Sequence, residues 1–441
     1  MRFWRVVTAI LLSCSTGCGG GGGSAGGAPP PGPTPAPAGK ITHVVIVFQE
    51  NRTPDNLFHG LPNADIANSG LNSHNQSVTL QPVDLTAPYD IDHSHDKAFV
   101  TEYNGGQMNG FDNVDIDCST PGCPATAYGY VPQSEVQPYF TLAQAYTFAD
   151  RMFQSNAGPS FPAHQYILSG TSTNATGSTL LAAENPDYAN NNNTNCDGDP
   201  NSTVKMIDPS GGETTKLQPC FDHETLFDAL DAKHISYRYY ATGTSGLWVA
   251  PDAISHIKNG ADWANVDSTS AQILTDIANG QLAAVSWVTP TAAASDHAKS
   301  NDGTGPAWVA SIVNAIGNSA YWQNTAIFIT WDDWGGWYDH VAPPQYNPNE
   351  LGFRVPLIVV SAYARPGYVS HVQHEFGSIL HFTEETFGLA SLGYTDARAD
   401  DLADCFNFTQ TPLTFKTVQS DRRASFFTHL PPSNAPVDTD F

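Results

Sequence analysis

The 441-residue sequence has no run of about 18 apolar residues, so no segment of its main body is long enough to cross a bilayer as a helix. Positive charge is scarce: 18 Lys and Arg stand against 43 Asp and Glu, for a formal net charge of −25. Such a surface repels polyanions, which excludes nucleic-acid binding through phosphate neutralisation and disfavours unaided adsorption to anionic lipid. Arg2, Arg5 and Lys40 lie in the first 40 residues, which carry no acid, so the rest of the chain is more acidic still. Charged residues of both signs make up only 14% and hydrophobic residues 40%, which argues against a highly charged disordered chain and against a coiled coil. No internal repeat is present. At about 150 residues per domain the length allows one large α/β domain or two to three small ones.

The N-terminus has its own character. Arg2 and Arg5 precede a short apolar run that closes on Leu11-Leu12-Ser13-Cys14, the pattern of an export signal. A leucine three residues before a cysteine resembles the bacterial lipoprotein cleavage box, in which the cysteine becomes the lipidated N-terminus. Cys14 fits that box best, and Cys18 is the second candidate. From Gly17 to Gly39 the chain is almost entirely Gly, Pro, Ala, Ser and Thr, a composition that cannot bury a core and serves as a tether. The expected organisation is an export signal over 1–18, a linker over 19–40 and a single domain over 41–441. Export and an oxidising compartment agree with the remaining cysteines: Cys118 and Cys123 can close a small loop, and Cys196 can pair with Cys220 across an Asn/Asp-rich stretch. Cys405 is left over and reads as buried and inert.

Ile41 to Phe48, Leu282 to Val288, Ala326 to Trp331 and Val355 to Ser361 are short and apolar nearly throughout. These are expected as central parallel strands buried on both faces. Helical patterns lie between them, at Tyr139 to Asp150, Thr225 to Lys233, Ser270 to Asn279, Pro306 to Ile316 and Glu375 to Phe387. The alternation predicts an open α/β sheet. Thr173 to Gly212 shows little periodicity and is expected as a surface excursion.

Ligands of open α/β sheets sit at the carboxyl ends of the strands. The first strand exits into Gln49-Glu50-Asn51-Arg52, and another into Trp331-Asp332-Asp333-Trp334-Gly335-Gly336. Both deliver oxygen donors to one edge, a set without cysteine that suits a hard or borderline divalent metal. Each pair taken alone reads more often as a helix cap or as a partner for a nearby arginine such as Arg52. A third element is Gly158-Pro159-Ser160-Phe161-Pro162-Ala163-His164, in which Pro162 suits a first helical turn and puts Ser160 near a helix N-terminus, where backbone N–H groups favour an anion. A serine there either caps the helix or attacks a substrate, and attack requires a base or metal to lower its pKa.

Taken together, these blocks closely resemble the bacterial phosphoesterase family that includes phosphatidylcholine-type phospholipases C and respiratory-burst-inhibiting acid phosphatases. The match runs through Gln49-Glu50-Asn51-Arg52, Asp90-Ile91-Asp92-His93, Asn104 to Phe111, Gly158 to Gly170, Ser295-Asp296-His297 and Trp331 to Val341. The resemblance implies a branch of the alkaline-phosphatase superfamily, a three-layer α/β/α sandwich with a mainly parallel sheet. It implies Glu50, Asn51, Asp332 and Asp333 as ligands of one divalent metal ion, Ser160 as nucleophile, and His93 and His297 as groups that contact phosphate oxygens or protonate the leaving alcohol. His340 is implied as a substrate contact, or as a group that only hydrogen-bonds behind the metal ligands.

Two departures from the family pattern matter. Ala163 stands where many relatives carry Asn, so another donor must hold the phosphoryl group. Asp333 is followed by Trp334 where many have Glu followed by His, which leaves one imidazole fewer for a second metal and favours a one-metal site. The function implied is an exported hydrolase of phosphate esters, phospholipids among them, that meets a membrane only through an N-terminal lipid anchor. The long phospholipases C often carry C-terminal β domains, so an end at Phe441 favours an acid phosphatase or broad phosphodiesterase. The competing class is a non-catalytic surface binding protein that retains the fold; an intact serine beside four metal candidates argues against it.

Overall fold

Apart from Met1, the computed structural model of the chain describes residues 39–118, 123–187 and 195–431. The export signal, the cleavage box with Cys14 and Cys18, and the linker up to residue 38 lie outside the described residues. Pro35–Phe441 forms one unit, and no helix among the described residues is long and apolar enough to cross a membrane.

Its frame is an eight-stranded sheet of β1 (His43–Gln49), β2 (Thr147–Ala149), β3 (Tyr237–Tyr240), β4 (Val266–Asp267), β5 (Val285–Val288), β6 (Thr325–Trp331), β7 (Leu357–Ser361) and β8 (Tyr368–Ser370). The order is β4-β3-β5-β1-β6-β7-β2-β8. Every residue of β5, β6 and β7 is buried, as is β1 after His43; a strand covered on both faces needs a continuous apolar run rather than an alternating one. All neighbouring pairs are parallel except those made by β7, which runs antiparallel to both β6 and β2. This corrects the expected parallel direction of Val355 to Ser361: a run buried on both faces carries no record of its polarity.

The helices flanking the sheet include α1 (Gln137–Ala145), α2 (Ser160–Ser169), α3 (Leu226–Asp231), α4 (Gln272–Ala278), α5 (Gly305–Gly317) and α6 (Phe376–Phe387). Helices α1 and α4 pack on α5, while α3 and α6 pack on α2, giving a helical layer on each side of the mainly parallel sheet. Proline at the start of α1 and of α5 fits positions whose N–H has no intrahelical partner. The helical pattern over Tyr139 to Asp150 divides into α1 and the three-residue strand β2. The stretch from Thr173 to Gly212 is less superficial than its composition suggests. Val204–Ile207 pairs with Leu181–Ala182 on one side and Thr215–Leu217 on the other in a small antiparallel sheet, and Ala182, Val204 and Met206 are fully buried. Disulfides join Cys118 to Cys123 and Cys196 to Cys220, and Cys405 is free and buried.

Candidate active site

Strands β1 and β6 are parallel neighbours in a register that pairs Gln49 with Trp331. The next residues of both strands therefore leave the sheet side by side. The pairing extends one step, with Asp332 N donating to Gln49 O at 3.0 Å. Asn51 then turns with φ 63, a left-handed conformation that asparagine tolerates better than most residues, and its N–H donates to Asp332 Oδ1 at 3.1 Å. Gly335, at φ +61, lies so close to this turn that a Cβ would sit 2.6 Å from Asn51 O. Glycine is thus required there twice over, for its dihedral and for its lack of a side chain.

Helix α2 brings the third element. Pro159 is the residue before its first turn and Ser160 is the first helical residue, with no side-chain cap at this end. The Ser160 hydroxyl instead donates to Asp333 Oδ2 at 3.2 Å, which sets aside the capping reading. At this helix start Phe161 N donates to Asn185 Oδ1 at 2.9 Å, Ala163 N donates to Pro159 O at 3.4 Å, and Pro162 has no N–H. One turn on, His164 Nε2 lies 3.3 Å from Glu50 Oε1 and 3.7 Å from Asp332 Oδ2. Glu50, His164 and Asp332 present one ligand-type atom each, all within 4.8 Å of one another, and all three are buried.

A divalent cation fits this chemistry. Asn51 Oδ1 and Asp332 Oδ2 are buried acceptors that receive no hydrogen bond, a costly state for an amide and a carboxylate unless a cation is their partner. Glu50, Asp332 and Asp333 crowd three carboxylates into a fully buried volume. Oxygen donors with one imidazole nearby suit a hard or borderline ion.

The remaining implied residues take two positions. His93 Nδ1 faces Ile91 O at 2.7 Å, and its Nε2 lies 2.9 Å from Asn51 Nδ2 and 4.0 Å from Asp333 Oδ2. His297 has the same fixed orientation, Nδ1 facing Ala298 O at 2.7 Å, and its ring centroid lies 6.0 Å from that of His93. A neutral ring whose Nδ1–H is spent on a carbonyl presents Nε2 as the working nitrogen. His340 goes elsewhere: Nδ1 lies 2.8 Å from Asp55 Oδ2 and Nε2 3.1 Å from Asp65 Oδ1. Both ring nitrogens are thus engaged by carboxylates, the placement of a residue that hydrogen-bonds behind the strand-exit acids. Burial works against its charged form, but the Asp55 hydrogen bond and charge outweigh it and raise the ring to about 9.

Several supports carry no local sequence signal. Arg52, fully buried, donates from Nε to Asp296 O at 2.8 Å and from Nη2 to Leu85 O at 2.8 Å. Burial draws its guanidinium down to about 10 against the opposing charge of Asp296. Asp296 Oδ2 accepts from Tyr139 Oη at 2.8 Å and from Trp331 Nε1 at 3.0 Å. Burial pushes that carboxyl up to about 6 despite Arg52. The segment carrying His297 is thereby tied to the exit of β1. Trp334 Nε1 donates to Glu102 at 2.6 Å behind the His93 ring. His164 did carry a signal: a residue four after Ser160 shares its helix face.

The phosphoesterase family model matches residues 41–390. Phospholipase C B of Mycobacterium tuberculosis is 24% identical over 471 residues, covering 90% of this chain and 84% of the relative. Non-hemolytic phospholipase C of Burkholderia pseudomallei is 25% identical, covering 89% of this chain and 64% of the relative. Among solved structures, a protein in the alkaline phosphatase superfamily from Vibrio parahaemolyticus aligns with a TM-score of 0.40 at 10% identity, covering 83% of this chain and 72% of that one.

Proposed function

This chain belongs to the phosphoesterase family and is a phosphoric-ester hydrolase, and on that premise we propose that it works through a phosphoserine formed on Ser160. The observation that carries the reading is the 3.2 Å hydrogen bond from Ser160 Oγ to Asp333 Oδ2. It supports a serine at a helix start that is spent on the carboxylates of the strand exits and not on its own helix.

One divalent metal ion would be held by Glu50, Asn51, Asp332 and Asp333, with His164 beside Glu50 and Asp332. Such an ion lowers the pKa of a nearby hydroxyl and offsets charge on phosphoryl oxygens. The protein's own residues then account for the proton movements. Ser160 Oγ gives its proton along the bond to Asp333 Oδ2 and attacks phosphorus. The bond from phosphorus to the leaving alcohol breaks, and that oxygen takes a proton from the imidazolium of His93 or His297. Water attacks the phosphoserine, its proton returns to the imidazole, and Ser160 leaves with the proton held at Asp333. The backbone carbonyls of Ile91 and Ala298, each 2.7 Å from an Nδ1, orient both rings with Nε2 as the nitrogen that exchanges the proton.

The phospholipase C relatives favour a diester, with phospholipids among the substrates. The M. tuberculosis phospholipase C is matched over 84% of its own length. Arg2, Arg5 and Leu11-Leu12-Ser13-Cys14 support an exported protein anchored by lipid at Cys14. Mass spectrometry of the mature N-terminus tests that anchor, and an unmodified chain beginning after Cys18 would refute it. For the chemistry, the test is acid quenching during turnover of p-nitrophenyl phosphate, bis-p-nitrophenyl phosphate and phosphatidylcholine, followed by peptide mapping. Phosphate on Ser160 is expected with the substrates that turn over, and turnover without any phosphopeptide would overturn the mechanism.

A further inference from the structure

Among the described residues Cys405 is the cysteine that the two disulfides leave over, and its surroundings are not those of an inert core thiol. Its Sγ lies 3.5 Å from Asp404 Oδ1, and the same carboxylate oxygen lies 3.6 Å from His374 Nε2. The three residues each present one ligand-type atom within 4.8 Å of the others. Two atoms bound tetrahedrally to zinc at the usual bond lengths are about 3.3–3.8 Å apart, so the 3.5 and 3.6 Å separations match two edges of such a tetrahedron.

Outer contacts select the atoms that face inward. His374 Nδ1 lies 2.5 Å from Asp400 Oδ1, an arrangement that fixes the tautomer and turns Nε2 toward Asp404, as carboxylates behind metal-bound histidines do. Asp400 is itself held by Ser378 Oγ at 2.8 Å. Asp404 Oδ2 accepts from Ser370 Oγ at 2.5 Å and Tyr368 Oη at 3.3 Å, which directs Oδ1 to the histidine and the thiol. Ser370 Oγ lies 3.1 Å from His374 Nε2 and supplies a fourth oxygen. The His374 and Ser370 side chains are buried, whereas Asp400 and Asp404 keep 27% and 17% side-chain exposure, so an ion has a path in past the acids.

We propose that His374, Asp404 and Cys405 form a divalent-cation site of the zinc type, with Ser370 Oγ or a water completing the tetrahedron. Ser370, His374 and Asp400 also resemble a hydrolytic triad, but Ser370 is fully buried and gives its proton to Asp404, so it has neither a substrate nor a base. Burial and the charges of Asp404 and Asp400 push the Cys405 thiol well up. Without a cation it keeps its proton, and binding a cation releases that proton to water. The site would pin the segment after α6 to the edge of the sheet, where Cys405 O already accepts from Thr147 Oγ1 at 2.9 Å and Arg365 N at 3.0 Å.

Cobalt distinguishes this site from the oxygen-rich one, because only a thiolate ligand gives a sulfur-to-cobalt charge-transfer band. Purified full-length protein titrated with Co²⁺ should develop that band, displaced by Zn²⁺. It should persist in Asp332→Ala and vanish in Cys405→Ser. Should Cys405→Ser fail to fold, the wild-type protein decides alone: Zn²⁺ should slow alkylation of Cys405, located by peptide mapping, by about tenfold or more, since an ion that binds only the closed form suppresses local opening. A wild-type protein with no thiolate band, a band that survives in Cys405→Ser, or alkylation indifferent to Zn²⁺ would each overturn the proposal and leave a metal-free hydrogen-bond network in its place.

Discussion

Ser160 and Asp333 are 173 positions apart in sequence, yet the serine hydroxyl donates to the aspartate at 3.2 Å within a fully buried site. Since Ser160 makes no cap to α2, its loss should leave the helix intact. Ser160→Ala is expected to lower kcat by about a thousandfold or more, with a thermal midpoint close to wild type. A capping serine would show the opposite pattern, a loss of about 1 kcal/mol in stability with activity preserved. Parallel thermal melts and steady-state assays separate the two.

Removing a ligand should cost both the metal and turnover. Asp332 contributes a hydrogen-bonded Oδ1, which orders Asn51, and an Oδ2 without a donor. Asp332→Ala therefore disturbs the turn after β1 as well as the ligand set, and elemental analysis should find it depleted of metal and inactive. His164→Ala removes a group beside Glu50 and Asp332; its metal affinity is expected to fall by about 10- to 100-fold, with activity restored by excess metal. Stoichiometric metal in purified Asp332→Ala would contradict the ligand assignment.

The two strand exits were readable because β1 and β6 are long apolar runs that stop abruptly at polar residues, and a parallel sheet puts such ends on one edge. The direction of β7 was not readable, as burial on both faces erases any asymmetry along the strand. Strands as short as Thr147–Ala149 offer too few residues to show a period, and this one continues the apolar pattern of α1 without a break. Within the site, Ser160 and the strand-end acids stood out as residue types in a motif. Asn185 did not, because it reaches the start of α2 from a stretch whose Asn and Gly content signals only a loop. Arg52 with Asp296 and Trp334 with Glu102 are pairings over 244 and 232 positions, and a single sequence carries no trace of such contacts.

Arg354 offers a test of what holds the loop after β6. It is fully buried, donates from Nε to both oxygens of Asp339 at 3.0 Å, and reaches Asp65 O and Asp150 O from Nη1 at 2.9 and 2.7 Å. Truncation strands the Asp339 carboxylate, whose carboxyl burial already pushes up to about 6. Arg354→Ala should cost about 3–5 kcal/mol in chemical denaturation. A loss under about 1 kcal/mol would show that the cluster relaxes or hydrates without penalty.

His340 should make stability fall at alkaline pH. Its ring is raised to about 9 in the folded protein, burial opposing and Asp55 favouring the charge, against an ordinary value near 6.5 in the unfolded chain. A proton held more tightly by the folded state stabilises that state only while the ring is charged. The contribution is therefore complete below about pH 6.5 and disappears as pH rises through about 9. Discounted for its partial exposure, 27% of the side chain, it amounts to about 2 kcal/mol. Because Asp55 Oδ2 also accepts the His340 backbone N–H at 2.8 Å and Arg354 Nη2 contacts Asp55 Oδ1 at 3.4 Å, the carboxylate keeps partners after the ring is neutral, and the fold should weaken without collapsing. Denaturation series at several pH values on wild type and His340→Gln measure this directly. The wild-type curve should descend more steeply than the variant's between about pH 7 and 9, and parallel curves would place the alkaline loss on another group.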